Sequence, residues 1–198
     1  MRQAHPLGRR DGGGSSDAAT TLVGLNQIWR TGLARADLLA IGARLGADVP
    51  LFIFGRSAWA EGKGDRLTAV EVPERWYAVV TPSCRVRTAD VFGHGDLVRD
   101  SPVTSLAEVL RRGRLRNDCQ PLVCALYPGV ARAVSWLGAH GEARLTGTGA
   151  SVLAPFQTRD EASKVIAQLP SDMTGFVSHG VNVSPLYQCG RVAMSVRE

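Results

Sequence analysis

Three consecutive glycines, Gly12-Gly13-Gly14, run directly into Ser15-Ser16-Asp17-Ala18-Ala19 and a helix-compatible stretch ending near Trp29. Glycine lets the backbone approach a ligand closely and take conformations barred to other residues. Ser15, Ser16 and Asp17 are good N-caps, so a helix is expected to begin here, spanning about residues 16–30. A helix start offers unpaired N–H groups and the positive end of the helix dipole. Together these make a cradle for an anion, most often phosphate. The other reading of the same residues is a flexible Gly/Ser linker.

The chain has 198 residues, 44% of them hydrophobic, enough for one large domain or two small ones with a real core. Its net charge of +5 comes from arginine, since Lys63 and Lys164 are the only lysines. That bias fits GC-rich coding better than selection for anion contacts. Cys84, Cys119, Cys124 and Cys189 form no C-x-x-C pair and match no zinc spacing, so no metal site is expected. They read as free thiols of a reducing, cytoplasmic compartment. The first ten residues lack an apolar signal region, and no run of about 18 apolar residues exists to span a membrane.

Apolar periodicity predicts a first helix with Leu22, Leu25, Ile28 and Trp29 on one side, and a second over 35–45 stopped by Gly46. Asp48-Val49-Pro50 then turns into Leu51–Phe54, read as a short strand. Strands over 57–61 and 66–72 flank the turn Gly62-Lys63-Gly64-Asp65. Further along, a strand is expected at 76–81 and helices at 88–92, 105–112, 119–126 and 128–140. Strands at 144–146 and 152–155 bracket Gly147-Thr148-Gly149. A helix over 158–169, capped by Thr158 or Asp160, and a strand over 176–183 complete an α+β pattern.

Beyond the glycine run, two segments carry candidate chemistry. Asp48 is either a plain turn former or a carboxylate held by Val49-Pro50 to take a proton from a substrate hydroxyl. Beside a bound γ-phosphate, that proton transfer would serve phosphoryl transfer. Gly147-Thr148-Gly149 is either a tight hairpin or a place where backbone touches a substrate or the first glycine loop. The Arg111–Arg116 cluster reads as a solvated helix end. A nucleic-acid patch would want aromatic residues among the arginines, and none is nearby.

In order, Gly12–Ala19, Leu45-Gly46-Ala47-Asp48-Val49-Pro50 and Leu145–Ala150 resemble the GHMP small-molecule kinases. More closely, the chain is similar to the branch acting on 4-diphosphocytidyl-2-C-methyl-D-erythritol in the non-mevalonate isoprenoid pathway. Ala60-Glu61-Gly62, Trp76-Tyr77, Asn117-Asp118-Cys119 and Gly180–Leu186 extend the likeness. The resemblance implies an α+β, GHMP-kinase-like fold. An incomplete ribosomal-protein-S5-like first domain would cover 1–73, a ferredoxin-like second domain 74–187, and a tail 188–198.

It also implies transfer of the γ-phosphate of ATP, accompanied by Mg²⁺, to a tertiary hydroxyl. Asp48 would be the general base. Pro6, Leu7, Gly8, Arg9, Arg10, Asp11, Gly12, Gly13, Gly14, Ser15 and Ser16 would form the ATP-phosphate loop. Thr88 would lie near the methylerythritol hydroxyls and Phe92 would stack on cytosine, with Gly147, Thr148 and Gly149 also on the substrate side. From the residues alone, Phe92 reads equally as a core aromatic.

The implied partner is the small-molecule substrate, with no membrane and no nucleic acid, for a monomer or homodimer. The family's opening segment, which holds a catalytic lysine and half the cytosine sandwich, is expected to be missing. Arg9-Arg10-Asp11 stands where the family has mostly glycine, and Arg-Arg-Asp is what GGC GGC GGG ATG yields one base out of frame. A compensated frameshift or a sequencing error, just downstream of a misplaced start, is therefore expected there. The rival readings are a catalytically silent kinase fragment and, less favoured, a basic nucleic-acid-binding module.

Overall fold

The computed structural model describes residues 13–62, 64, 66–112 and 116–188. These residues fall into two compact units: one takes in 13–74 and 181–188, the other 75–180.

In the first unit, α1 (Gly13–Ile28), α2 (Arg35–Leu45) and α3 (Val49–Phe54) pack around Ala19, Val23, Leu38, Val49 and Ile53. Ala19 and Val23 sit one turn apart, so they line one stripe of α1. The expected stripe ran further toward the C-terminus, but Ile28 and Trp29 are exposed. The chain leaves α1 through left-handed Arg30 and Gly32, which end the helix before that stripe can continue inward. α2 matches its expected bounds, with Gly46 N–H bonded back to Gly42 O at 3.1 Å.

The expected strand at 51–54 is instead the body of α3. Pro50 sits in the first turn, where its missing N–H costs nothing, and Gly55 closes the helix in the left-handed region. Four consecutive apolar residues carry no period, so length alone misassigned them. Gly42 lets α2 and α3 approach closely, since a Cβ there would lie 2.6 Å from Ile53 Cδ1. A hairpin follows: β1 (Ala58–Glu61) pairs antiparallel with β2 (Arg66–Ala69), Glu61 opposite Arg66.

The second unit begins with β3 (Trp76–Pro82). α4 (Thr88–Gly93), α5 (Leu106–Arg112), α6 (Cys119–Leu126) and α7 (Pro128–Gly138) come next. The hairpin β4 (Arg144–Leu145) and β5 (Val152–Phe156), then α8 (Arg159–Ile166) and β6 (Met173–His179), complete it. The four-stranded sheet runs β4-β5-β3-β6, antiparallel throughout. In chain order within the unit this is second, third, first, fourth, the ferredoxin-like arrangement of split βαβ units. The expected α+β class and ferredoxin-like second half are therefore observed.

β3 is central and buried, with Ala78, Val79 and Val80 at its middle. α7 and α8 pack on the sheet through Val130, Ala133, Leu137, Ala162 and Val165. Thr158 is the residue that caps α8. Its hydroxyl accepts from Glu161 N–H at 3.2 Å, while the Glu161 carboxylate accepts from Thr158 N–H.

Residues 181–188 return to the first unit and end in α9 (Pro185–Gln188). Asn182 joins them to the first unit like a strand partner. Its side chain accepts from Val72 N–H and donates to Val72 O, at 3.0 and 2.8 Å, and its carbonyl accepts from Ser57 N–H. The expected strand over 176–183 thus stops at His179, and the next residues serve the other unit. No helix among the described residues is long and apolar enough to cross a membrane.

Candidate functional site

In the first unit the glycine run opens α1. The helix already includes Gly13, so Ser15, Ser16 and Asp17 lie inside its first turns and do not cap it, contrary to expectation. Gly13, Gly14 and Ser15 open α1, in the first turn, where N–H groups lack an acceptor within the helix. No acidic side chain lies in that first turn. Two of these three residues carry no side chain of their own to cover their amides. This donor set fits a phosphate and disfavours a cation. Of the expected phosphate-loop residues, Pro6 through Gly12 lie outside the described residues.

Asp48 stands at the N-cap of α3, with φ −90° and ψ −12°. A capping aspartate would accept from its own helix, but this side chain makes no such bond. It is exposed, while Val49 and Pro50 directly after it are buried. The backbone is thus anchored by two buried residues, and the carboxylate makes no cap bond to α3. The turn-former reading explains the backbone here but not the free side chain. α3 and α1 share one apolar cluster, through Val49, Ile53, Ala19 and Val23. The β1–β2 turn comes close as well: a Cβ at left-handed Gly64 would lie 3.6 Å from Ala47 O.

In the second unit the expected substrate-side residues meet. Thr88 opens α4, and its hydroxyl lies 2.9 Å from the Thr148 hydroxyl. Thr148 is buried at 2% exposure, between Gly147 at φ +50° and Gly149 at φ +90°. Only glycine takes both angles cheaply, which explains the Gly-x-Gly pattern. Gly149 N–H closes the turn on Thr146 O at 2.7 Å. Below it the buried hydroxyls of Thr81 and Ser151 are 3.0 Å apart. Phe92, near the C-terminal end of α4, is 54% exposed, so it is not a core aromatic.

Two roles here escaped sequence reasoning. The Arg99 guanidinium gathers three carbonyls, those of Phe92, His94 and Leu97, at 2.6, 3.1 and 3.0 Å, and so ties down the end of α4 that carries Phe92. Asn117 donates to Leu145 O and Gly147 O. An Asn-Asp pair before an apolar run signals a helix start, which Asn117 does provide by accepting from Cys119 N–H at 2.9 Å. Nothing local signals its second task.

Cys84, Cys119 and Cys124 are free thiols, and burial pushes each above the ordinary thiol range. Among the described residues no group of three His, Cys, Asp or Glu side chains could hold a metal ion.

Residues 4–56 match the family GHMP kinases N terminal domain, and residues 100–175 match GHMP kinases C terminal. A 4-diphosphocytidyl-2-C-methyl-D-erythritol kinase of Alkalilimnicola ehrlichii is 51% identical over 91% of this chain and 62% of its own length. One from Shewanella pealeana is 52% identical over 91% of this chain and 63% of its own. The kinase of Nitrosococcus oceani with the same name is 47% identical over 96% of this chain and 67% of its own.

A crystal structure of 4-(cytidine 5'-diphospho)-2C-methyl-D-erythritol kinase superposes with a TM-score of 0.76 at 28% identity, covering 90% of this chain and 68% of that one. A homoserine kinase from Cytophaga hutchinsonii shares the fold at a TM-score of 0.58 and 15% identity. The chain therefore spans less than two thirds of the length of the first two relatives.

Proposed function

The chain belongs to the GHMP kinases, and from that membership we propose that it serves ATP-dependent phosphorylation of an alcohol. The acceptor is 4-diphosphocytidyl-2-C-methyl-D-erythritol and the reacting group its tertiary 2-hydroxyl. The names of the relatives support that substrate. The observation that carries the chemistry is the exposed Asp48 carboxylate, unused by its own helix yet fixed on buried Val49 and Pro50. A carboxylate kept free at a rigid position costs stability nothing and is available to a substrate.

In this reading the Gly13–Ser15 amides hold phosphate oxygens at the positive end of α1. Mg²⁺, bound through the phosphates, would supply charge neutralisation as the phosphoryl group moves. Asp48 accepts the proton of the acceptor hydroxyl as that oxygen bonds to phosphorus and the bond to the departing ADP breaks. Thr88 and Thr148, joined by their hydroxyls, offer a polar contact to the acceptor's own hydroxyls. Phe92 presents an exposed ring to the cytosine. A kinase using these soluble substrates belongs in the cytoplasm.

The test is phosphate transfer to the cytidyl acceptor by the full chain and by Asp48→Asn. Loss of a general base lowers kcat by about 100-fold or more. Equal rates for the two would remove Asp48 from the mechanism. The silent-fragment reading predicts no transfer by either.

A further inference from the structure

The segment from Leu145 to Ser151 reverses the chain between β4 and β5 with two left-handed glycines. Such a turn leaves carbonyls without sheet partners. Two of them, Leu145 O and Gly147 O, lie 2.9 and 2.8 Å from the same atom, Asn117 Nδ2. A side-chain amide nitrogen has two hydrogens, so both are used. The other end of the amide is fixed too, because Asn117 Oδ1 accepts from Cys119 N–H at 2.9 Å. Flipping the group would set its oxygen against two carbonyls and its NH₂ against an N–H, so one orientation is possible. Gln120 completes the clamp, its Oε1 accepting from Leu145 N–H at 2.8 Å.

The head of α6 thus grips both the acceptors and a donor of a loop 25 to 30 residues later in the chain. With those groups committed, exposed Gly147 keeps an N–H that bonds to no described residue. The Thr148 hydroxyl is meanwhile directed to Thr88.

We propose that Asn117 is a positioning residue for the acceptor substrate: by collecting the carbonyls of Leu145 and Gly147 it holds the Gly147–Gly149 loop so that the Gly147 amide and the Thr88–Thr148 pair face the acceptor in one arrangement. This rests on the reading of that loop as part of the acceptor site. Asn117 itself touches no reacting atom. Its contribution passes through backbone that a side chain elsewhere could not hold, since both carbonyls converge on one nitrogen.

The experiment uses the full chain with Asn117→Asp and Asn117→Ser. Aspartate keeps the acceptor for Cys119 N–H but turns a carboxylate oxygen on two carbonyls, whereas serine is too short to reach either. Amide hydrogen exchange is followed for 145–150, with the amides of β3 as the check on folding. Binding of 4-diphosphocytidyl-2-C-methyl-D-erythritol and its kcat and KM are measured alongside.

The expected result is exchange at least tenfold faster, confined to the loop, with acceptor Kd and KM raised at least tenfold and kcat changed less than threefold. A merely structural asparagine would lower kcat and the folded fraction together, without that split. Unchanged loop exchange in a variant whose β3 amides stay protected overturns the proposal. So does faster exchange with unaltered acceptor affinity. If the unsubstituted chain binds no acceptor, the reading of the site fails, and the substrate role of Asn117 falls with it whatever the exchange shows. Asp48→Asn is the control that separates the two ideas: it keeps loop exchange and acceptor Kd near those of the unsubstituted chain while losing transfer.

Discussion

The hydroxyl of Tyr187 donates to the carbonyl of Ile53, 134 residues earlier in the chain. Ile53 lies in the last turn of α3, where carbonyls have no helical partner, so a tyrosine from the returning segment caps the helix that begins at Asp48. The ring packs so closely on the helix end that a Cβ at Gly55 would lie 2.1 Å from Tyr187 Cε2. Tyr187→Phe removes the hydroxyl but keeps the ring. It is expected to cost about 1 kcal/mol in urea denaturation, the usual net worth of one such bond.

The same tyrosine makes stability depend on alkaline pH. Burial holds its phenol above the ordinary value of 10.0, with the charge of Arg35 opposing. A group whose folded value is raised contributes stability that is complete below the unfolded value and fades as pH rises through the folded one. Unfolding free energy should therefore fall as pH rises past the ordinary phenol value of 10.0, and less steeply in Tyr187→Phe. Parallel slopes for the two proteins would show that the phenol does not link to folding.

Asp48→Asn should leave stability within about 0.5 kcal/mol, because its carboxylate is exposed and makes no cap bond. Thermal melts of the variant check this independently of activity. A large drop in melting temperature would mean that the side chain has a structural duty after all.

Gly175 lies in β6 opposite Val80, and a Cβ there would come 2.8 Å from Val79 O and 3.0 Å from Ile166 Cδ1. The first neighbour is backbone in the central strand and cannot swing away. Gly175→Ala should therefore destabilise the second unit by about 1–3 kcal/mol, as overpacking does. Chemical denaturation followed by the exchange of β3 amides measures it.

The thiols of Cys84, Cys119 and Cys124 should react slowly. Burial raises all three, and the charge of Asp118 adds to the effect at Cys119. At about pH 8 the native protein should take up iodoacetamide at these sites several-fold more slowly than the urea-unfolded chain does, since only the thiolate reacts. Mass spectrometry of the alkylated peptides reads each site separately. Equal rates in the two states would contradict the burial.

Much of this architecture is readable from local pattern. α2 shows its bounds because apolar spacing and the Gly46 stop agree, and the Thr158–Glu161 capping box marks α8. β3 announces itself by an apolar run cut by proline. Where the pattern has no period, as in Leu51–Phe54, length is a poor guide and the helix is missed. Ile28 and Trp29 look inward on a helical wheel, yet the helix ends before they can reach the cluster. Asn117, Arg99, Asn182 and Tyr187 are invisible to such reasoning for one shared reason. Each makes its bond to a backbone carbonyl, and every carbonyl looks alike in a sequence.

β3 is an early element whose two sheet neighbours are late ones: Trp76 faces Phe156 on one side and His179 on the other. During synthesis its backbone N–H and C=O groups therefore wait unpaired until about 80 more residues have been made for β5 and about 100 for β6, spans that the ribosome covers in roughly 4 to 20 seconds. Until β5 is made, the most buried of the described strands has open edges on both flanks, the condition under which chaperone capture competes with self-association.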